Sequence, residues 1–438
     1  MKANEPIAAI ASPQGVGAIA VIRISGEGTL ALGDRVLEKP ISKQSSNSIS
    51  VNKIVDGSRV LDVVMAVSYR APNSYTGEDM IEIFCHGGEY LPSRILELLI
   101  ARGARMARPG EFTMRGVLNN KLDLIQAEAI LDLVEAKSSQ VLNAAIRNLS
   151  GEFSRVVAGV SRDIVNILVQ VEGNLDFSGD EEWEVIEGLK RRIEAVSERI
   201  NEIIETGREG IILREGPIII LSGRKNVGKS TLFNKILRID RAIVTPIPGT
   251  TRDYLMEDLR IGHSFFRLVD TAGLGSPQDR VEEEGMRRAE GFLESARLVL
   301  LVLDRSRPLL EEDLFHLKRT EAKDKIIVLN KSDLPRKIDF AGDIEVSAKT
   351  GEGIEELKDL ILMRLSKPEA TEQMILRERH INCLISAKNY LESAINQDYL
   401  ETISADLRRS LDSLGELTGR VTNEDLLNKI FSQFCIGK

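Results

Sequence analysis

The residues with the clearest chemical capacity are Gly223-Arg224-Lys225-Asn226-Val227-Gly228-Lys229-Ser230, followed by Thr231. Their spacing is G-x-x-x-x-G-K-[ST], a loop whose backbone N–H groups and following helix N-terminus cradle phosphate. Lys229 would reach the β- and γ-phosphates of a nucleotide, and the Ser230 hydroxyl would join Mg²⁺. An apolar run from Pro217 to Leu221 precedes the loop, and a helical pattern from Ser230 to Leu237 follows it. That strand–loop–helix order is the context the motif requires.

Four more signals follow downstream in order. The stretch Val244-Thr245-Pro246-Ile247-Pro248-Gly249-Thr250-Thr251-Arg252-Asp253 can bring a threonine hydroxyl and backbone amides to Mg²⁺ and the γ-phosphate. Phe265 to Val269 reads as a strand ending in Asp270-Thr271-Ala272-Gly273. Asp270 would reach Mg²⁺ through water, and the Gly273 amide would sense the γ-phosphate. A further strand, Ile326 to Leu329, ends in Asn330-Lys331-Ser332-Asp333. The Asp333 carboxylate can accept both the ring N–H and the amino group of guanine, a pair that adenine cannot supply. Ser347-Ala348-Lys349, after Val346, would bound the base with its backbone. The predicted ligand is GTP with Mg²⁺ on Ser230 and Thr251, and Lys229 and Thr251 are predicted catalytic groups.

One expected part is missing. Where many such sites carry a water-orienting glutamine, just after D-x-x-G, this chain has Leu274, which can neither accept nor donate a hydrogen bond. No arginine finger is evident in cis. Gln278, Asp279, Glu282, Glu283 and Glu284 are the polar candidates for holding the attacking water.

The elements that must position these groups fall into separate modules. The chain has 438 residues, 42% hydrophobic and 29% charged, enough for several cores. Its net charge of −9 does not advertise nucleic-acid binding, nor does it exclude a basic patch. Three cysteines, Cys85, Cys383 and Cys435, have no metal or disulfide spacing. With no signal-like start and no apolar run of membrane length, a cytoplasmic protein without membrane contact is expected.

The predicted fold class is multidomain. An α+β module occupies residues 1–120, with strands at Ile7–Ala11, Gly17–Ile24, Leu61–Tyr69 and Met80–Phe84 and a helix at Leu91–Ala101. Ser42 to Ser50 reads as a surface loop. Residues 121–213 and 368–438 carry helical stripes and form two parts of one all-α bundle; a Ras-like α/β P-loop domain, 214–367, interrupts it. Val157, Val160, Ile164 and Leu168 make one stripe, and Leu407, Leu411 and Leu414 another. Asp176 to Trp183 reads as an inter-helix loop. In the first module, Ser74-Tyr75-Thr76-Gly77-Glu78-Asp79, His86-Gly87-Gly88 and Arg108-Pro109-Gly110-Glu111-Phe112-Thr113 stand out. Leu118 to Leu124 reads as the start of a helix. On spacing alone His86 is a structural hydrogen-bonder, and Glu82 and Lys121 are solvated charges.

The G-R-K-N-V-G-K-S, G-T-T-R-D, D-T-A-G-L and N-K-S-D set is similar to that of the TrmE–Era–Septin-type GTPases. S-Y-T-G-E-D, H-G-G, R-P-G-E-F-T, L-N-N-K-L-D-L with Q-A-E-A, and the terminal Phe434-Cys435-Ile436-Gly437-Lys438 narrow this. Together they resemble the tRNA-modification GTPase family MnmE (TrmE) over essentially the whole chain. The resemblance implies a folate-binding N-terminal domain, a homodimer through that domain, and an FAD-containing MnmG partner in a heterotetramer. It implies tRNA as substrate, with a 5-aminomethyl-type or 5-carboxymethylaminomethyl-type group built on the wobble uridine. It implies 5-formyltetrahydrofolate or a related folate held by Arg23, Glu82, Lys121 and Lys438, and places Cys435 at the modification chemistry. It implies K⁺ on Asn226, Thr245, Ile247 and Thr250, and selects Glu282 as the catalytic group that positions water. The rival reading is a ribosome-assembly GTPase of the Era type, which shares the nucleotide motifs but lacks a counterpart of the N-terminal module.

Overall fold

The computed structural model describes residues 5–13, 15–175, 182–239, 256–270, 291–365, 377–421 and 424–438. The chain divides into two compact units. One comprises Met1–Val134, Ile146–Glu202 and Asn382–Lys438, the other Glu135–Ala145 and Ile203–Ile381. The fold is multidomain, with an α+β part, a helical part and an α/β part.

The first unit is built on a six-stranded sheet in the order β3-β4-β5-β2-β1-β6. The strands are β1 (Ile7–Ile10), β2 (Ile19–Ser25), β3 (Ile49–Asp56), β4 (Arg59–Tyr69), β5 (Met80–His86) and β6 (Arg105–Met106). Alternation along them turns Ile22, Ile24, Ile54, Val64, Ala66, Ile81, Ile83 and Cys85 to one face, into the core. Leu30 and Leu32 of helix Thr29–Asp34 and Ile95, Leu98 and Leu99 of helix Tyr90–Ala101 share that core. The opposite face carries Arg23 and Glu82 directly across from each other on β2 and β5. Farther along it Ile49, Val51, Val63 and Met65 are exposed.

Three expectations need correction here. Only Ile41–Lys43, a short 3₁₀ turn, and the loop after it occupy the predicted Ser42–Ser50 segment; its end is already edge strand β3, whose alternating burial reads weakly beside the serines. The R-P-G-E-F-T segment reads as a turn followed by a polar patch; the turn is present at Pro109–Gly110, but the patch is helical and buried: Gly110, at φ 66, opens helix Glu111–Leu118, and Glu111, Phe112 and Thr113 are buried in its first turn. Leu118 therefore ends a helix, and the next begins at Leu124.

Glu111 explains why that turn is polar yet buried. It receives Arg105 at 2.6 Å, the Arg108 backbone N–H at 2.8 Å and Arg115 at 3.2 Å. Arg115 also reaches Glu78 and the Glu5 carbonyl, each at 3.1 Å. Burial pushes the Glu111 carboxyl up, but these hydrogen bonds and the two arginine charges outweigh it and hold it below its ordinary value.

The helices of this unit include Leu124–Glu135, Glu152–Leu175, Leu400–Thr418 and Glu424–Phe431. Glu152–Leu175 packs along Leu400–Thr418, so helical segments from both ends of the chain meet. The buried stripe on the former is Val157, Val160, Ile164, Ile167 and Val171; Leu168 lies at its margin. Helix Glu182–Glu215 already contains Trp183, so the predicted inter-helix loop does not reach that residue; Asp176 to Glu181 lie outside the described residues. Leu427, Ile430, Phe431 and Phe434 pack with Leu124, Ala127 and Leu131, which seats the chain's last helix against the helix after the sheet module.

The second unit holds the sheet β12-β11-β10-β7-β9-β8. These are β7 (Ile218–Ser222), β8 (Met256–Ile261), β9 (Ser264–Asp270), β10 (Leu298–Asp304), β11 (Lys325–Asn330) and β12 (Ile344–Val346). All neighbours are parallel except β8, which pairs antiparallel with β9 through the Gly262–His263 turn. All seven residues of β10 are buried, as a central strand with both faces covered requires. Helices Lys229–Ile239 and Ile354–Leu365 pack on one face, where Leu232, Ile236, Leu357 and Ile361 join the core.

Arg115→Ala should leave the buried Glu111 and the partly buried Glu78 without their shared cation and destabilise the first unit by about 3–5 kcal/mol at neutral pH in urea unfolding. Glu111 has a depressed folded pKa, so its contribution is complete above its unfolded value near ~4.3 and is lost as pH falls through the folded value. The penalty of Arg115→Ala should therefore shrink in acid; a penalty independent of pH would contradict this.

Candidate functional site

In the second unit, β7 delivers the chain into the phosphate loop at Gly223, where φ is 143 and an added Cβ would stand 2.4 Å from the Val302 carbonyl oxygen. Only glycine fits there. Lys229, buried at the start of its helix, donates its ammonium to the carbonyls of Gly223 at 2.6 Å and Arg224 at 2.8 Å. Burial lowers its pKa, against the pull of Asp270. Phosphate oxygens would offer that ammonium stronger partners than loop carbonyls. Ser230 donates its hydroxyl to Asp270 at 2.8 Å. β9 lies beside β7 with Asp270 opposite Leu221, which brings this acid to the loop. Two hard oxygens side by side at the phosphate loop fit a magnesium ion's preferences.

The base-side residues converge on the same loop. Asn330 donates to the Val227 carbonyl at 2.8 Å and accepts from the Ala348 backbone N–H at 3.0 Å. Asp333 accepts the Ser347 hydroxyl at 2.8 Å. Lys331 reaches the Asn226 carbonyl at 3.0 Å and Asp304 at 2.7 Å. Thr231, Lys349 and the Asn226 side chain face solvent. Thr245, Pro246, Ile247, Pro248, Gly249, Thr250, Thr251, Thr271, Ala272, Gly273 and Glu282 lie outside the described residues.

A second cluster lies in the first unit. Arg23 donates to Glu82 through Nε at 2.9 Å and Nη2 at 2.7 Å, and to the Gly437 carbonyl through Nη1 at 3.2 Å. The rings of Tyr75 and Phe112 flank its guanidinium at 5.2 and 5.6 Å. Tyr69 donates to the other Glu82 oxygen at 3.2 Å; burial and then the Glu82 charge raise its pKa. The side chains of Arg23 and Glu82 are 20% and 13% exposed, so Glu82 is no solvated charge.

The chain's C-terminal residues reach this cluster. The backbone N–H of Phe112 donates to an oxygen of Lys438 at 3.2 Å, and that of Gly110 to the Cys435 carbonyl at 3.4 Å. Burial lowers the Lys438 pKa; the charge of Cys435 opposes this and that of Arg23 adds to it. Gly437, at φ 96, lies where a Cβ would come within 2.6 Å of the Ile10 carbonyl oxygen. Arg23, Glu82, Cys435 and Lys438 are thus brought together. Lys121 is exposed, and its stem packs beside Gly77, two residues from Tyr75. His86 meets Asp62 at 2.8 Å, as its structural reading requires. The aromatic wall of Tyr69, Tyr75 and Phe112 is what spacing missed; the signal available was that Tyr75 and Phe112 each sit inside a motif.

Among the described residues there is no group of three or more His, Cys, Asp or Glu that could hold a metal ion, and no helix long and apolar enough to cross a membrane.

A phosphate loop after β7, an acid ending β9 and an Asn–Asp loop after β11 define a P-loop nucleotide-binding fold joined to α+β and helical parts. The model of the MnmE helical domain matches residues 124–435, and that of the GTP-binding protein TrmE N-terminus matches residues 6–121. The tRNA modification GTPase MnmE of Geobacillus thermodenitrificans is 39% identical over 458 residues, covering 99% of each chain. Those of Thermotoga sp. and Aquifex aeolicus are each 40% identical, covering 99% of this chain and 100% of theirs. The chain belongs to the MnmE (TrmE) family of tRNA modification GTPases. The Era-type rival has less support, since these matches run through the N-terminal and helical parts as well.

Gly437→Ala should unseat the tail, because both its φ and its space exclude a Cβ. Hydrogen exchange at the Phe112 amide should then quicken by roughly tenfold or more. Unchanged protection would contradict the seating of the tail on the sheet.

Proposed function

We propose that this chain hydrolyses GTP in tRNA modification. With an FAD-containing MnmG partner it would add an aminomethyl or carboxymethylaminomethyl group to C5 of the wobble uridine, U34. The observation that carries the reading beyond a GTP switch is the Cys435–Lys438 tail seated beside Arg23 and Glu82. A bare switch has no use for a second cluster of charged and aromatic side chains. Arg23, Glu82, Lys121 and Lys438 would hold 5-formyltetrahydrofolate or a related folate as carbon donor. The Glu82 carboxylate suits the paired N–H donors of a pterin edge, for the same reason that Asp333 suits guanine. Lys438 and Arg23 offer cations to the folate's carboxylates. Cys435, exposed beside Lys438, is the available thiol for the modification chemistry. Residues 1–120 would form the folate and dimer domain, 121–213 with 368–438 the helical domain, and 214–367 the GTPase domain. A tRNA substrate implies work in the cytoplasm.

Homodimerisation has support from the exposed sheet face. Ile49, Val51, Val63 and Met65 leave 65, 62, 52 and 40% of their surface in solvent, on the face that carries Arg23 and Glu82. Apolar patches of that kind mark association surfaces.

For hydrolysis, Lys229 and Thr251 would stabilise the phosphates, Ser230 and Thr251 would ligate Mg²⁺, and Glu282 would orient water. K⁺ on Asn226, Thr245, Ile247 and Thr250 would supply the positive charge that no cis arginine offers. The β8–β9 hairpin gives the cycle a mechanical handle. It is flanked by the two predicted phosphate-sensing segments, and its His263 carbonyl accepts from the Ser139 N–H at 3.3 Å. Lys137 pairs with Asp258 at 2.7 Å and lies over the Phe265 ring at 4.5 Å. Movement at either segment would pull on the start of helix Ser139–Leu149.

Nucleoside mass spectrometry of tRNA incubated with the protein, the MnmG partner, GTP and folate should show the modified uridine, and none without the chain. Absence of product in the complete mixture would contradict the reading. GTP turnover should be roughly 100-fold faster in KCl than in NaCl, and Asn226→Ala should erase the difference. Equal rates in both salts would remove K⁺ from the account.

A further inference from the structure

We propose that Asp304 is a positioning residue for guanine-nucleotide binding, acting through Lys331 and tying the base loop to the phosphate loop. The inference rests on the reading of Asn330–Asp333 as the base loop and adds a residue that lies outside every motif.

Asp304 is the last residue of β10 and lies beside Asn330 in the parallel pairing with β11, the point at which the base loop departs. Its side chain is 1% exposed. One carboxylate oxygen accepts the Lys331 ammonium at 2.7 Å; the other accepts the Ser306 hydroxyl at 2.6 Å and its backbone N–H at 3.0 Å. The Arg224 guanidinium of the phosphate loop stands 3.8 Å from the first oxygen. Arg224 is itself buried, with Nε held by Asp313 at 3.1 and 3.2 Å. One buried carboxylate thus faces a cation from each of the two nucleotide loops.

The backbone shows what that carboxylate holds in place. Asn226 and Lys331 both have positive φ, 67 and 70, where non-glycine residues are uncommon and strained. The Lys331 ammonium joins these two residues, since it donates to the Asn226 carbonyl. Such a bond orients Asn226 only while the ammonium is itself fixed, and the Asp304 carboxylate is the buried charge that fixes it. Asp304 is buried behind Lys331 and Ser306. Its effect runs through Lys331 to the base side and through the Asn226 peptide to the phosphate side.

The test is stopped-flow binding of a fluorescent GDP analogue to the full chain. Asp304→Asn keeps the shape and removes the charge, and should weaken affinity roughly 10- to 100-fold, mostly through faster release. The preference for GTP over inosine triphosphate should persist, because Asp333 is untouched. The double variant Asp304→Asn with Lys331→Ala should bind no more weakly than Lys331→Ala alone. Affinity within twofold of the unmodified chain, additive losses, or loss of the GTP preference would each overturn the proposal. If Lys331→Ala and Asp333→Ala leave binding unchanged, the base-loop reading itself fails and this inference with it. If they weaken binding and Asp304→Asn does not, only this inference fails. Should Asp304→Asn not fold, Ser306→Ala should speed release a few-fold, and an unchanged rate would overturn the proposal.

Discussion

The Arg23 guanidinium joins Glu82 on a neighbouring strand to the Gly437 carbonyl, 414 positions away in sequence. A partly buried guanidinium must satisfy its donors. Two of these contacts go to Glu82, one to the tail, and its faces lie against Tyr75 and Phe112. The rest of the first unit serves to make that arrangement possible. Sheet register sets Arg23 opposite Glu82. The buried ions around Glu111 fix the turn that presents Phe112. The helix Glu424–Phe431 packs so that the tail arrives where the guanidinium needs an acceptor.

The second unit solves a related problem with different materials. Its described site residues sit where β7, β9 and β11 end, at Gly223, Asp270 and Lys331. Carbonyls of the phosphate loop hold the Lys229 ammonium, the Ser230 hydroxyl meets Asp270, and Asn330 bridges to Val227 and Ala348. The same few contacts that hold the loops together are those that nucleotide oxygens and base donors would join.

Much of this was legible in the residues. The phosphate loop and the Asn330–Asp333 loop follow from spacing because a helix N-terminus and a carboxylate acceptor demand fixed neighbours. β10 is legible as an unbroken apolar run. The edge strand β3 was hidden, since its apolar Ile49 and Val51 are exposed and serines precede it. The helix Glu111–Leu118 was hidden because Glu111 is a buried ion whose partners, Arg105 and Arg115, flank it in the chain but announce nothing about burial. The convergence of Arg23, Glu82 and Lys438 could not be read from spacing at all. Contacts between residues hundreds of positions apart depend on sheet register and helix packing, and only the family resemblance named those residues in advance.

The most direct measurement is calorimetric titration of the full chain with 5-formyltetrahydrofolate, beside Arg23→Ala and a chain ending at Phe434. The account predicts saturable binding to the full chain, loss of it with Arg23→Ala, and marked weakening when the last four residues are gone. Binding of undiminished strength to the shortened chain would contradict the claim that the tail completes the site.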